Sequence, residues 1–259
     1  MLLILDIGNS NIVSAIYDNG DWLQIDRINT DPTLPVYFYQ GYFTRMLLES
    51  EIRPEWIKDI CISSVVTEIT DSIVEAVEKY FGKTPFLLDP SVIIQLDMPI
   101  AKPYEIGSDL VANAYAVYKQ FQYHAIVVDF GTALTFTVVS PHTGLIGVTI
   151  APGLKTSIRS LSSSTSRLPE VPLILPDSAI GKDTVHAIQA GVLYGYVGLV
   201  KEVAQRIRME SMQHYSLIAT GGLSAILPPL KDYFDVIDKN LTLNGIRLIY
   251  EFFSDENDE

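Results

Sequence analysis

The sequence predicts an α/β protein built from a duplicated domain, and two stretches carry that prediction. Leu2 to Asn11, LLILDIGNSN, is a short apolar run that ends in a polar turn. An apolar run of this length is typical of a buried strand. Ala125 to Ala133, AIVVDFGTA, repeats the arrangement in the second half of the chain. Each stretch therefore predicts a strand that opens a domain of its own.

The similarity between the two stretches extends beyond the turn. The matching turn residues are Asp6, Gly8 and Asn9 in the first copy and Asp129, Gly131 and Thr132 in the second. A strand, a second turn and another strand follow each of them, over 11–17, 18–20 and 22–28 and over 135–139, 141–144 and 145–150. A three-strand frame that recurs in full indicates duplication.

The first turn has the composition of a phosphate site. Gly8 lets a ligand approach the backbone because glycine has no Cβ. Asn9, Ser10 and Asn11 gather backbone N–H groups and short polar side chains in one concavity, which suits a phosphate. Asp6 ends the strand, where its carboxylate is suited to Mg²⁺, bound directly or through water. Alone, these residues fit an ordinary hairpin turn with an Asp cap equally well, and the second copy favours the functional interpretation.

Composition and charge narrow the class of protein. The chain has 259 residues, enough for one large domain or two smaller ones, and 48% are hydrophobic, which supports a substantial core. Its 18 basic and 31 acidic residues give a net charge of −13, which argues against non-specific nucleic-acid binding. A bound nucleotide would then depend on metal ions and backbone donors. Ser254 to Glu259, SDENDE, is typical of a solvated acidic tail.

Cysteine usage and hydropathy predict a cytoplasmic protein. Cys61 is the single cysteine, it lies in an apolar run, and it is expected in the core. No basic region precedes the first apolar run, so no signal peptide is expected. No uninterrupted apolar stretch is long enough to span a bilayer, so no membrane partner is expected.

Hydrophobic periodicity and start and stop residues predict the remaining elements. Helices are expected over 36–51, 68–81, 107–122 and 153–166 and from 183 or 184 to about 209, and strands over 59–64, 86–89 and 216–219. Thr67 is expected to cap the second helix, and Gly82 to end it in a left-handed conformation. Residues 168–177 hold three prolines and are expected to form a loop. The segment 241–252 fits a helix or a strand.

Asp109 has two interpretations at the start of its predicted helix. It is either a dipole partner for the helix N-terminus or a carboxylate that a rigid element holds near the mouth of a site.

Glycines mark two further features. Gly191, Gly195 and Gly198 share one predicted helix, where each costs about 1 kcal/mol relative to alanine. They therefore indicate close packing against another backbone, such as that of a second subunit. Gly221 and Gly222 form a turn that would let a flat ring lie against the backbone, and a short helix is expected between this turn and Pro228.

Several common motifs are absent. The stretch before Gly82-Lys83-Thr84 lacks the first glycine of a P-loop, since position 77 is Val77. No GxGxxG follows a strand, so a dinucleotide site of the Rossmann type is not supported. The four histidines lack metal-ligand spacing, and the serine run 162–164 lacks the setting of a nucleophile elbow.

An ordered set of blocks resembles the type III pantothenate kinase family. The blocks are DIGNSN, IGSDLVANA, DFGTALTF, IAPGLKTSI, IGKDTVHAIQAGVLYGYVG, ATGGL and LTLNGIRLIYE, and they cover nearly the whole chain. The resemblance implies two ribonuclease H-like (actin-like) domains, 1–118 and 119–259, each a mixed central sheet flanked by helices. It implies ATP-dependent phosphorylation of pantothenate to 4′-phosphopantothenate, the first step of coenzyme A biosynthesis.

The resemblance also implies roles for individual residues. ATP would contact Asp6, Ile7, Gly8, Asn9, Ser10, Asn11, Ile12, Val13 and Thr132. Pantothenate would contact Gly107, Ser108, Asp109, Leu110 and Thr184, with Asp109 as proton acceptor. Asp129 would bind the monovalent cation, K⁺ or NH₄⁺, while Asp6 is the candidate for Mg²⁺. The family is a homodimer with sites near the subunit interface.

The chain departs from the family pattern at three positions. Leu110 stands where the family usually has arginine, Thr137 where it has aspartate, and Ile100 where it often has tyrosine. Loss of the arginine removes a planar cationic donor suited to phosphate or carboxylate. Leu110 thus favours a second hypothesis, a catalytically weak relative that binds nucleotide and has a regulatory or scaffolding role. The retained Asp6, Asp109, Asp129 and Thr184 favour the kinase.

Overall fold

The computed structural model describes residues 1–224 and 226–255, and the last four residues of the predicted acidic tail lie outside that range. The strands are β1 Leu2–Ile7, β2 Asn11–Asp18, β3 Asp21–Asn29, β4 Asp59–Ser64, β5 Phe86–Leu87, β6 Ala125–Phe130, β7 Ala133–Ser140, β8 Gly144–Pro152, β9 Ser216–Thr220 and β10 Val236–Ile237. The helices are α1 Val36–Glu49, α2 Thr67–Phe81, α3 Pro90–Ile93, α4 Ser108–Gln120, α5 Leu154–Ser164, α6 Thr184–Ser211 and α7 Leu241–Asp255. Short 3₁₀ segments occupy Pro54–Trp56 and Pro228–Tyr233.

The two sheets confirm the predicted duplication. Their strand orders are β3-β2-β1-β4-β5 and β8-β7-β6-β9-β10, so each sheet is an antiparallel meander extended by parallel strands. The first three strands have 6, 8 and 9 residues in both sheets. A register shift falls at the same place in both meanders, between Ile16 and Tyr17 and between Val138 and Val139.

Each sheet has a hydrophobic core on one face. In the first, alternate residues of β1 (Leu3, Leu5 and Ile7) pack with buried side chains of α1 and α2. In the second, alternate residues of β6 pack with buried side chains of α6. Because side chains alternate across a strand, Asp6 and Asp129 each lie on the sheet face opposite to these core residues.

The two compact units divide between Lys119 and Gln120, one residue after the predicted boundary, and the C-terminal helix belongs to the first unit. The units are Met1–Lys119 with the described residues from Thr242 onward, and Gln120–Leu241. The predicted second domain, 119–259, had included α7. Within the first unit Trp22 Nε1 donates a hydrogen bond to Asn244 Oδ1 at 3.2 Å. A Cβ on Gly245 would overlap the backbone of Ala112. This close backbone approach joins α7 to α4.

The predicted elements are largely confirmed. Gly82 ends α2 with a φ of 65°, Asp183 caps α6 by accepting a hydrogen bond from the His186 N–H, and 168–177 is a loop. Thr67 is the first residue of α2, not its cap. The strand at 86–89 ends at Leu87 because Asp89 caps α3.

The described residues after the Gly221-Gly222 turn form further turns, and a short helical segment begins only at Pro228. Cys61 is fully buried, and burial raises the pKa of its thiol. Among the described residues no helix combines the length and the apolar character needed to cross a membrane.

Candidate active site

The first Asp-x-Gly turn is held from the end of β3. The Gly8 N–H donates to the Asn11 carbonyl at 3.0 Å. Thr30 follows β3, and its Oγ1 donates to the Gly8 carbonyl at 2.6 Å while its N–H donates to the Ser10 carbonyl at 3.1 Å. Asn9 and Ser10 remain exposed at the tip. The turn is thus preformed and accessible to a ligand.

The apolar residues on either side of this turn cannot offer their side chains to a ligand. Ile7, Ile12 and Val13 are buried, and the two isoleucines belong to the core. A contact between these residues and a nucleotide would have to come from the backbone.

Asp109 lies at the same corner of the first unit as Asp6. Asp6 is paired in register with Ser63 on the parallel strand β4. The hydroxyls of Ser63 and Ser108 share a buried hydrogen bond of 2.8 Å, and Ser108 Oγ also donates to the Ser64 carbonyl at 3.3 Å. These bonds fasten the first turn of α4 to the end of β4. Ser108 was predicted to contact substrate, but its hydroxyl makes these two hydrogen bonds within the first unit.

The Asp109 carboxylate is partly buried and has a defined orientation. Its Oδ1 accepts a hydrogen bond from the Leu110 N–H at 2.8 Å. Burial raises the pKa of the Asp109 carboxyl above its usual range, and the backbone hydrogen bonds from Leu110 and Asp109 lower it by less. A Cβ on Gly107 would lie 2.5 Å from Oδ1. Glycine at 107 therefore leaves the room that this carboxylate occupies.

The second Asp-x-Gly turn is held from the start of α5. The Thr132 carbonyl accepts hydrogen bonds from the Gly153 N–H at 3.0 Å and from Thr156 Oγ1 at 2.7 Å. A Cβ on Gly153 would overlap the carbonyls of Gly131 and Thr132. Gly131 and Thr132 are exposed. This turn is also fixed before any ligand arrives.

Asp129 lies between two threonines on neighbouring strands. It is paired in register with Thr135 on β7 and with Thr220 on β9. The hydroxyls of both threonines are buried and have no hydrogen-bond partner among the described residues. Gly221 has a φ of 88°, and a Cβ there would overlap Asp129 Oδ1. The Gly221-Gly222 turn thus lies directly against the Asp129 carboxylate.

Thr184 lies in a different part of the second unit. It is exposed at the start of α6 and lines a cavity of about 440 Å³ between α5 and α6. The other lining residues are apolar or glycine: Leu161, Leu168, Ala187, Ile188, Gly191 and Val192. Within the described chain the positions where Gly191, Gly195 and Gly198 would carry a Cβ are open, so the expected close backbone packing is not made inside the chain.

Sequence reasoning missed the residues that hold the two turns and flank their carboxylates: Thr30, Ser63, Thr135, Thr156 and Thr220. Single threonines and serines at strand ends are too common to stand out. Their alignment in register with an aspartate would have been visible only after the strands had been paired.

The described residues contain no group of three or more His, Cys, Asp and Glu side chains placed to hold a metal ion. A cation here would need hydroxyl, backbone, water or phosphate oxygens beside a single carboxylate, which is usual for Mg²⁺ held with a nucleotide.

Comparison with known proteins identifies relatives over the length of the chain. A family model described as type III pantothenate kinase matches residues 2–206. A curated type III pantothenate kinase from Citrifermentans bemidjiense is 38% identical over 251 residues, which are 97% of this chain and 99% of the relative.

Two solved structures share the fold. A conserved putative Baf family transcriptional activator from Campylobacter jejuni has a TM-score of 0.61 at 22% identity and covers 98% of this chain and 99% of its own. A putative 2-dehydro-3-deoxygalactonokinase from Sinorhizobium meliloti has a TM-score of 0.58 at 11% identity, with 96% of each chain covered. At these identities the likeness shows the fold alone, and it confirms the predicted pair of actin-like domains.

Proposed function

The chain belongs to the type III pantothenate kinase family, and on this premise we propose that it transfers the γ-phosphoryl group of ATP to the primary hydroxyl of pantothenate. The product would be 4′-phosphopantothenate, made in the cytoplasm as the first step of coenzyme A biosynthesis. One observation carries the proposal. The preformed polar turn follows β1, and the helix start that bears Asp109 is hydrogen-bonded to the end of β4, the strand next to β1.

The first turn is assigned to the phosphates of ATP. Its exposed tip, Asn9 and Ser10, offers backbone N–H groups and short polar side chains, and Thr30 holds the turn in that conformation. Preformed donors favour phosphoryl transfer because this reaction needs mainly positioning and charge neutralisation. We assign to Thr132 a further contact with ATP.

Cations are assigned to the two strand-end aspartates. Asp6 suits Mg²⁺ that arrives with the nucleotide, since a single carboxylate plus phosphate oxygens is the usual environment of that ion. Asp129 suits a monovalent cation, K⁺ or NH₄⁺, because one carboxylate and two buried hydroxyls carry only a single negative charge. When bound, these cations would neutralise charge on the phosphates.

Asp109 is assigned as the proton acceptor. The hydroxyl oxygen of pantothenate attacks the γ-phosphorus, the bond to the oxygen between the β- and γ-phosphorus atoms breaks, and ADP leaves. The hydroxyl proton passes to the Asp109 carboxylate. A raised pKa makes this carboxylate a better base than an ordinary aspartate. Gly107 and Leu110 adjoin Asp109 and would line the pantothenate pocket. Thr184 is assigned as a further contact with pantothenate.

The deciding experiment is an assay of the purified protein with ATP, Mg²⁺ and pantothenate in KCl, NH₄Cl or NaCl. We expect 4′-phosphopantothenate to form faster in K⁺ or NH₄⁺ than in Na⁺. Equal rates in the three salts would remove the monovalent cation from the proposal. Normal ATP binding without any transfer would favour the regulatory or scaffolding relative instead.

A homodimer is proposed from the exposed glycines of α6. Their open Cβ positions leave one side of this helix flat enough for a second copy. Gly195→Leu should split the dimer in sedimentation and lower activity together. Gly41→Leu is the matched control, because Gly41 is also exposed within a helix, with no neighbouring atom near its Cβ position. An active wild-type monomer would contradict the proposal.

A further inference from the structure

The second unit contains an unusual group of buried hydroxyls on the sheet face that carries Asp129. Thr220 is completely buried and Thr135 is 7% exposed. Each is paired in register with Asp129, one on the parallel strand β9 and the other on the antiparallel strand β7. Directly paired residues on neighbouring strands point to the same face, and in an antiparallel pair their Cβ atoms lie about 4.5–5.5 Å apart. The two hydroxyls therefore flank the carboxylate from both sides.

These hydroxyls lack the partners that buried hydroxyls normally have. Neither Oγ1 has a hydrogen-bond partner among the described residues. Most buried polar atoms in folded proteins have one, and an exception calls for an explanation such as an ion or a water molecule. A hydroxyl has two lone pairs to offer as well as its proton. The vacant lone pairs of Thr135 and Thr220 could be filled by a cation beside Asp129.

The composition of this group limits the cation. A carboxylate with two hydroxyls contains neither thiolate nor imidazole, so it does not suit zinc or other metals that prefer those ligands. One negative charge with neutral oxygens suits a single positive charge. Neutral oxygens are also the ligands that replace the hydration shell of K⁺ in selective channels. The group therefore matches a weakly hydrated monovalent cation.

The first unit provides an internal comparison. The residues paired with Asp6 at the equivalent positions are Val13 and Ser63. Valine has no oxygen to offer, and the Ser63 hydroxyl is already bonded to Ser108. Within the described part of the chain, the second copy of the frame combines a strand-end aspartate with two unpartnered oxygens and the first copy does not.

We propose that Thr135 and Thr220 supply neutral oxygen ligands to a monovalent cation held by Asp129. This inference rests on the proposed function in one respect, the assignment of that cation to Asp129, and it adds the residues that complete the site. Gly221 positions the carboxylate, since its missing Cβ leaves the space that Oδ1 occupies.

The test compares three threonine-to-valine variants of the full-length protein without nucleotide or pantothenate. Thr135→Val and Thr220→Val keep the side-chain shape and remove the proposed ligands. Thr137→Val is the matched control, because Thr137 is buried with an unpartnered hydroxyl on the same face of β7 but pairs with Val127. The thermal midpoint is measured in increasing KCl, with tetramethylammonium chloride keeping the ionic strength constant.

A cation that binds only the folded state raises the midpoint. We expect K⁺ to raise it in the wild type and in Thr137→Val. Thr135→Val and Thr220→Val should need at least about tenfold more K⁺ for the same rise, since even outer partners of a metal site account for roughly 10–100-fold in affinity. Where a valine variant does not unfold cooperatively, Thr135→Ala or Thr220→Ala removes the hydroxyl without crowding and decides the question.

Two results would overturn the inference. One is a wild-type midpoint that does not respond to K⁺, and the other is a K⁺ response in both ligand variants equal to that of Thr137→Val, as expected for a bound water. Because the measurement needs no turnover, its result is independent of whether the protein phosphorylates pantothenate. The assay described above tests the kinase activity separately.

Discussion

The two halves of the chain share the same three-strand meander and differ in the residues around the aspartate that ends its first strand. The meanders match in strand length and in the position of the register shift. The first turn has three residues, Gly8, Asn9 and Ser10, between its strands, whereas the second has only Gly131 and Thr132. Two residues are exposed in each turn, Asn9 and Ser10 in the first and Gly131 and Thr132 in the second.

The environments of the two aspartates differ more than the turns do. Beside Asp6 the polar neighbour Ser63 is bonded to Ser108, which fixes the helix that carries Asp109. Beside Asp129 two threonine hydroxyls are buried and have no hydrogen-bond partner among the residues that the structure describes. Both copies thus keep the same backbone frame, while side chains on neighbouring strands differ. They place a candidate proton acceptor in the first copy and a candidate cation site in the second.

The largest effect is expected at Asp109. Asp109→Asn keeps the size of the side chain but removes the carboxylate, so the rate should fall roughly 10²–10⁴-fold, the usual contribution of a positioned acid or base. Steady-state kinetics with ATP and pantothenate measure this loss. Asp71→Asn is the control, since Asp71 is an exposed carboxylate of the same unit. A full-rate Asp109→Asn enzyme would remove this residue from the mechanism.

The next effect separates the two strand-end aspartates. Asp129→Asn should raise the K⁺ concentration needed for activity more than about 100-fold, since outer partners of a metal site already account for 10–100-fold. Asp6→Asn should leave the K⁺ requirement near that of the wild type and weaken activation by Mg²⁺. Titrations of activity with each cation measure both. An identical response of the two variants would mean that the copies do not divide these roles.

A third prediction concerns the glycine against Asp129. Gly221→Ala should destabilise the protein by roughly 1–3 kcal/mol more than Gly20→Ala, the usual cost of overpacking. Both glycines have positive φ, but only Gly221 has Asp129 and Phe130 where a Cβ would lie. Urea unfolding of the two variants gives the difference in free energy. Equal destabilisation would show that backbone conformation alone requires Gly221.

The smallest predicted effect is a shift in pH dependence. Because burial raises the pKa of Asp109, activity should fall on acidification at a pH above the ordinary aspartate value of about 3.9. Between that value and the raised pKa the folded state binds the extra proton, so this group contributes a loss of stability as the pH rises. Asp109→Asn should lack that loss, measured by urea unfolding across the acid range. Unchanged pH dependence in this variant would contradict the raised pKa.

The local parts of the fold followed from the sequence, and so did the placement of the candidate residues on them. Short apolar runs gave β1 and β6, Gly82 ended α2, and Asp183 capped α6, since each depends on neighbours in sequence. The helix α7 was misplaced for the opposite reason. Its predicted domain followed chain order, while its packing depends on a close approach of Gly245 to Ala112, far away in the sequence.

By itself the sequence determined that two strand-end aspartates precede glycine turns, because a strand, a turn and a helix start are set by adjacent residues. Only the tertiary structure decided what surrounds those aspartates. Strand pairing brings Thr220 beside Asp129 and Ser63 beside Asp6. Such pairings are fixed by burial and register across the whole sheet, so no local sequence pattern predicts them.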